Sequence, residues 1–308
     1  MTKTAVLSTI AATGAATDAA AFAGTLAESN EHGVAAMPHY LDRPDGRIAY
    51  DDEGSGRPIV MVPGLGDLRQ EYRFLAPRLV EAGYRVVTMD VRGHGDSSTG
   101  WPDHRASAVG SDVVALLEAL DATDAVLVGT SMGAGAVAWA AAETPHRVGQ
   151  LVLIGPFVRP VPPEIWFKGL MQTVMIKAAF AGPWAVSAWG SYYDSLYPTA
   201  KPADYAAYRG ALLANLSESG RIDAVKAMMG DDKADVAVRL GEVRAPALVV
   251  MGTMDPDFPD PAAEAATVAR LLNGQVQMVE GAGHYPHAEM PSGTAPAILD
   301  FLAARAAA

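Results

Sequence analysis

Two rhythms of apolar residues alternate along this chain. Short runs such as Pro58-Ile59-Val60-Met61-Val62, Arg85-Val86-Val87-Thr88-Met89, Ala125-Val126-Leu127-Val128 and Leu151-Val152-Leu153-Ile154 are mostly apolar at consecutive positions and rich in β-branched residues. Runs of this kind, bounded by glycine or polar residues, read as strands buried on both faces. Arg47-Ile48-Ala49-Tyr50 is the first strand candidate, ahead of them. Between the runs the apolar spacing turns helical: Tyr72, Leu75, Leu79 and Val80 share one face of a helix predicted over about Arg69 to Ala82. Ser111-Asp112 reads as the cap of a helix reaching Leu120, and a helix of small residues begins near Ser131.

From about Pro156 to Glu242 the rhythm breaks, with no convincing strand and an abundance of Trp, Tyr, Met and Ala, which predicts a mostly helical insertion. It resumes with Ala247-Leu248-Val249-Val250-Met251, a helix near Pro261 to Leu272, the run Val276-Gln277-Met278-Val279 and a last helix from about Thr294 to Ala304. Alternation of this sort builds an α/β fold, a mostly parallel central sheet with helices on both faces. The expected organisation is a core made of residues 39–155 and 243–308, a helical insertion over 156–242, and a flexible leader over 1–38.

Composition narrows the chemistry. With 308 residues, half of them hydrophobic, the chain can bury one large core and still carry an insertion. Its net charge of -12 offers no basic stripe for a nucleic acid backbone. There is no cysteine, so disulfides, thiolate metal sites and cysteine nucleophiles are all excluded. Reactive groups must therefore be oxygen and imidazole. The leader has one basic residue, Lys3, and a weakly apolar stretch from Ala5 to Thr17 that Asp18 interrupts. That makes a poor signal peptide; a disordered leader on a cytoplasmic protein is expected, with secretion as the alternative. The longest uncharged run, Ala125 to Ala142, has the ~18 residues of a minimal membrane span. Its glycine-rich centre reads instead as a turn between a strand and a helix.

That centre, Gly129-Thr130-Ser131-Met132-Gly133, fits G-x-S-x-G, in which small residues around a serine permit a strained strand-to-helix turn that exposes its hydroxyl. A serine hydroxyl attacks only when a base takes its proton. Among seven histidines, His284 in Gly281-Ala282-Gly283-His284-Tyr285-Pro286 follows the last predicted strand on a glycine-rich loop able to bring an imidazole over the sheet edge, with His287 as its nearest competitor. His94, between Gly93 and Gly95, suits a structural or pocket-lining role, while His32, His39, His104 and His146 lack comparable settings. In Gly252-Thr253-Met254-Asp255-Pro256-Asp257, Asp255 stands nearer the strand end and Pro256 biases it toward extended backbone, so it is preferred to Asp257 as the acid that orients the histidine. Asp67 and Arg69 either meet a polar substrate group or are solvated surface residues.

The order Ser131, acid, His284 resembles the α/β-hydrolase superfamily, and the likeness covers nearly the whole chain after Pro38. Asp90-Val91-Arg92-Gly93-His94-Gly95-Asp96-Ser97 is similar to the D-x-R-G-x-G-x-S loop of that family; Gly252 to Asp255 and Gly283-His284 with Glu289 and Pro291 resemble its acid and histidine loops. The resemblance implies an α/β-hydrolase fold whose insertion over 156–242 is a helical cap or lid. It implies a triad of Ser131, His284 and Asp255, an oxyanion hole of the Leu65 and Met132 backbone N–H groups, and no cofactor or metal. The chain departs from the pattern at Pro63-Gly64, where relatives commonly have His-Gly. Trp166, Phe167, Met171, Met175, Trp184, Trp189, Tyr192 and Tyr193 of the insertion form either a pocket roof or the insertion's own core. The implied activity is hydrolysis of a small-molecule ester, lactone or amide, with an apolar acyl part; a serine at 131 disfavours branches that need a carboxylate nucleophile. Cofactor-free perhydrolysis of the haloperoxidase type and a ligand sensor acting through its cap are the alternatives.

Overall fold

The computed structural model describes residues 37–160 and 180–306. The expected leader up to residue 36 and the insertion residues Trp166, Phe167, Met171 and Met175 lie outside the described residues. From His39 onward the chain forms one compact unit.

Eight strands make one sheet: β1 His39–Arg43, β2 Gly46–Gly54, β3 Pro58–Val62, β4 Arg85–Met89, β5 Ala125–Thr130, β6 Val148–Ile154, β7 Ala247–Gly252 and β8 Gln275–Val279. Their spatial order is β1-β2-β4-β3-β5-β6-β7-β8. β1 and β2 form an antiparallel hairpin across Pro44-Asp45, β2 pairs antiparallel with β4, and every later pairing is parallel. In β5, β6 and β7 every residue is buried, which is why their sequences are apolar without alternation. Successive side chains nonetheless go to opposite faces. Val60, Leu127, Leu151 and Val249 enter one core cluster, while Ile59, Val126, Val152 and Val250 enter the other.

Helices cover both faces. Among the described residues they are, in chain order, α1 Ala76–Glu81, α2 Ala106–Ala119, α3 Met132–Glu143, α4 Ala185–Ser195, α5 Tyr205–Leu216, α6 Arg221–Met229, α7 Ala234–Ala237, α8 Pro261–Leu272, α9 Pro286–Glu289 and α10 Pro291–Ala306. Between β6 and β7 the described residues hold α4 to α7 and no strand.

Three local expectations are corrected. β1 escaped the pattern because its sequence, His39-Tyr-Leu-Asp-Arg, lies at the sheet edge and is largely polar. The helix expected over Arg69 to Ala82 is broken into a 3-10 turn, Arg69–Tyr72, and α1. Pro77 is the cause: it has no N–H to give and disfavours a helical residue before it, so α1 restarts around it while Tyr72, Leu75 and Leu79 still bury on one cluster. Ser111-Asp112 is not a cap. α2 begins at Ala106, whose N–H donates to Asp231 Oδ2 at 2.8 Å, and Asp112 is buried inside the helix, accepting from Arg92 and Arg43. The long uncharged run is divided between β5 and α3, and no described helix is long and apolar enough to cross a membrane.

Candidate active site

Ser131 occupies the turn between β5 and α3 with φ 56° and ψ -120°, a backbone conformation that a non-glycine residue holds only at a cost. The surroundings hold it there. Its N–H donates to the Ile154 carbonyl at 2.8 Å, and its own carbonyl accepts from Phe157 N–H at 3.1 Å. The glycines on either side are steric requirements: a Cβ on Gly129 would lie 2.4 Å from the Gly133 carbonyl oxygen, and one on Gly133 would lie 2.3 Å from that of Val62. So the small residues of the motif allow the turn, and the turn turns the serine side chain toward a cavity that it lines.

His284 lines the same cavity and is almost wholly buried. Its loop is pinned on both sides: Gly283 N–H donates to Glu289 Oε2 at 2.6 Å and His284 N–H to the Leu196 carbonyl at 3.0 Å. The loop after β7 is tied to it through Met254 N–H to the Ala282 carbonyl, 2.9 Å. That tie brings Asp255 Oδ2 to 2.8 Å from His284 Nδ1, so the buried carboxylate accepts the imidazole N–H. Asp257 is also close, with Oδ2 at 3.6 Å from Nδ1. Burial alone would lower the histidine pKa, but the charges of Asp255 and Asp257 outweigh it and raise it to about 9. These three side chains offer ligand atoms within 4.8 Å of one another, a spacing that could hold a metal ion. Nδ1 is already committed to Asp255 at 2.8 Å, and that bond makes the arrangement an acid-oriented imidazole.

The competing histidines have other duties. His287 Nε2 lies 3.1 Å from Glu71 Oε1, and His287 does not line the cavity. His94 accepts Gly66 N–H at Nε2, 3.1 Å, and its Nδ1 faces the Arg92 carbonyl at 3.1 Å. Burial pulls its pKa down to about 4, so it stays neutral and can accept that bond.

The loop after β3 is held residue by residue. Gly64 N–H donates to Glu71 Oε2 at 2.8 Å, Gly66 N–H goes to His94, and Tyr72 OH donates to the Val62 carbonyl at 2.6 Å. With the amides on both sides committed, Leu65 sits between fixed neighbours and lines the cavity beside Met132. Met132 is the first residue of α3, where an N–H has no partner within the helix. Where Pro63 replaces the expected histidine, Glu71 and Tyr72 anchor the loop instead; the helical spacing of Tyr72 predicts only its packing, and no local pattern marks Glu71. Asp67 and Arg69 are neither solvated nor in the cavity. Arg69 is buried and pairs with Asp90, Asp51 and Asp96, and Asp67 is buried, accepting from Leu68 N–H and Tyr208 OH.

The cavity measures about 590 Å³. Phe157, Phe180, Trp189, Met228 and Met229 give it a largely apolar wall, and Lys226, Asp231 and Lys233 also reach it. Of the insertion residues singled out above, Trp189 and Tyr192 line it, Tyr193 is buried among Tyr197, Tyr205 and Tyr285, and Trp184 is largely exposed.

Known proteins are similar to this chain over most of its length. A protein of Synechocystis sp. that carries a provisional non-heme chloroperoxidase name is 28% identical over 275 residues, 83% of this chain and 94% of that one. The crystal structure of a bromoperoxidase from Bacillus anthracis superposes with a TM-score of 0.75 at 23% identity, covering 86% of this chain and 99% of that one. An esterase from Exiguobacterium antarcticum gives 0.74 at 20% identity over 86% and 99% of the two chains. The family model for the α/β-hydrolase fold matches residues 57–291. The chain belongs to the α/β-hydrolase fold family.

Proposed function

We propose that this protein is a serine hydrolase that cleaves a carboxylic ester, lactone or amide through an acyl-enzyme. The observation that carries the reading is that Ser131, on its strained turn, and His284, bonded to Asp255 at 2.8 Å, line one cavity. In this reading Ser131 Oγ attacks the substrate carbonyl carbon while His284 Nε2 takes the hydroxyl proton. The carbonyl oxygen becomes an anion, and the N–H groups of Leu65 and Met132 stabilise it by ~3 to 4 kcal/mol each. His284 then passes its proton to the departing alcohol or amine, leaving acyl-Ser131. Water, deprotonated by the same imidazole, attacks the acyl carbon, and the acid leaves as Ser131 recovers its proton. Asp255 holds the ring and offsets the positive charge that each proton transfer places on it.

The helices between β6 and β7 act as a cap in this reading. Trp189 and Tyr192 of α4 and Met228 and Met229 of α6 wall the cavity, which favours a medium-chain or bulky acyl group over acetyl. A fluorophosphonate probe tests the assignment directly: its adduct should map to Ser131, and Ser131→Ala should lose both the adduct and the turnover of p-nitrophenyl esters. An adduct elsewhere, or an active Ser131→Ala enzyme, refutes it.

The peroxidase names of the Synechocystis and Bacillus proteins bring in a second reading, perhydrolysis, which uses the same residues and ranks behind hydrolysis. There hydrogen peroxide replaces water in attack on acyl-Ser131 and releases a peracid. Peroxide-dependent halogenation that requires both a carboxylic acid and Ser131 would mark that activity.

A further inference from the structure

Two carboxylates flank His284, and only one is needed to orient it. Asp257 Oδ2 lies 3.6 Å from Nδ1, against 2.8 Å for Asp255, and the Asp257 N–H donates to Asp255 Oδ1 at 3.0 Å. The loop thus carries both acids as one braced unit. Asp257 has a partner on a different element: the Tyr192 hydroxyl lies 2.7 and 2.9 Å from its two oxygens and can donate to one at a time. Tyr192 belongs to α4, lines the cavity, and packs its ring against Trp189 with centroids 5.2 Å apart.

We propose that Asp257 is a positioning residue that strengthens His284 as a base, and that Tyr192 moderates it by binding the Asp257 carboxylate from the cavity wall. The inference rests on the serine-hydrolase reading above and adds to it a second acid and a control on that acid. An ionised Asp257 favours the imidazolium form because the opposite charges are close. A hydroxyl that donates to the carboxylate draws part of that charge away from the ring. Charged and titratable groups reach His284 from three more places: Asp255 on the same loop, Glu71 from the 3-10 turn, and Tyr285, whose ring meets the imidazole edge-on at 5.2 Å. Burial and the facing Asp257 charge keep the Tyr192 phenol protonated, so it remains a donor across the working range.

The test reads His284 itself, by NMR titration of its imidazole nitrogens in the full chain. The titration is done in a Ser131→Ala background, so that the result does not depend on turnover. Asp257→Asn should lower the midpoint by about one pH unit or more, as loss of a charge at this range does. Tyr192→Phe should raise it, because Asp257 then acts on the ring undiminished. In the Ser131 enzyme the acid limb of kcat/KM should move in the same two directions. An unchanged midpoint in Asp257→Asn overturns the role of Asp257, and an unchanged or lowered one in Tyr192→Phe overturns that of Tyr192. The opposite directions expected of the two variants separate this from general loosening of the site. Hydrolysis that survives Ser131→Ala would sink the serine-hydrolase reading and leave the titration result standing.

Discussion

Asp255→Asn isolates what the acid does, because the amide keeps the shape of the carboxylate and removes its charge. Asp255 and His284 are 2% and 1% exposed and 2.8 Å apart, so their interaction is little screened by water. At an effective dielectric of ~20, unit charges at that distance attract by about 6 kcal/mol. Part of this is not lost: Asp257 remains 3.6 Å from the ring, and the cost of burying the Asp255 charge disappears with it. A loss of ~3 to 5 kcal/mol in the transition state is left, or ~10² to 10⁴ in kcat. Asp257→Asn should lose far less at the alkaline plateau, since its carboxylate is more distant and shared with Tyr192. The assay is turnover of p-nitrophenyl butyrate across pH, with competent sites counted by fluorophosphonate labelling so that misfolded protein is not mistaken for slow enzyme. A larger loss in Asp257→Asn than in Asp255→Asn would refute the reasoning and move the orienting acid to Asp257, with Ser131 and His284 unaffected.

Other outcomes follow from the same geometry. Ser131→Ala and His284→Ala should each lower kcat by ~10³ or more, and the double variant should be little worse than either, since the two act in one proton-coupled step; additive losses would place the nucleophile elsewhere. Trp189→Ala removes a buried aromatic from the cavity wall and should shift relative kcat/KM toward longer or bulkier acyl groups, a preference read from an ester series and refuted if the profile is unchanged. With His284 raised to about 9, kcat/KM for an uncharged ester should climb with pH until that value, as the free base forms. Stability carries the opposite sign: a histidine whose pKa is raised on folding contributes fully below its ordinary value of 6.5, and the contribution is lost as pH rises through about 9. Comparing Tm against pH for the parent and His284→Ala should show a parent advantage that shrinks across that window.

What the sequence made legible here depends on how far apart the cooperating residues lie. The Ser131 turn could be read from five residues, because its steric demand is met by Gly129 and Gly133 within the same turn. His284 and Asp255 were singled out from loops that follow β8 and β7, and those loops bring the two side chains to 2.8 Å. The buried strands announced themselves by unbroken apolar runs, whereas β1, at the edge, has no such constraint and left little signal. Polar residues were misread where their partners are remote. Asp112 resembled a helix cap in its own neighbourhood, and only Arg43 and Arg92, 69 and 20 positions away, show it to be a buried acceptor. The true holder of the α2 N-terminus, Asp231, is 125 positions from Ala106. Nothing near Arg69 in the chain decides between a substrate contact and a solvated surface position, and it is neither, because the fold brings Asp51, Asp90 and Asp96 around it. Tyr192 and Asp257 are 65 positions apart, and neither carries a motif. A burial cost must be offset by a specific partner for each of these groups, yet the partner can be drawn from anywhere in the chain, so local pattern has no hold on it. The chemistry most open to surprise in this fold therefore lies in such long-range polar pairs around the histidine rather than in the turn that carries the serine.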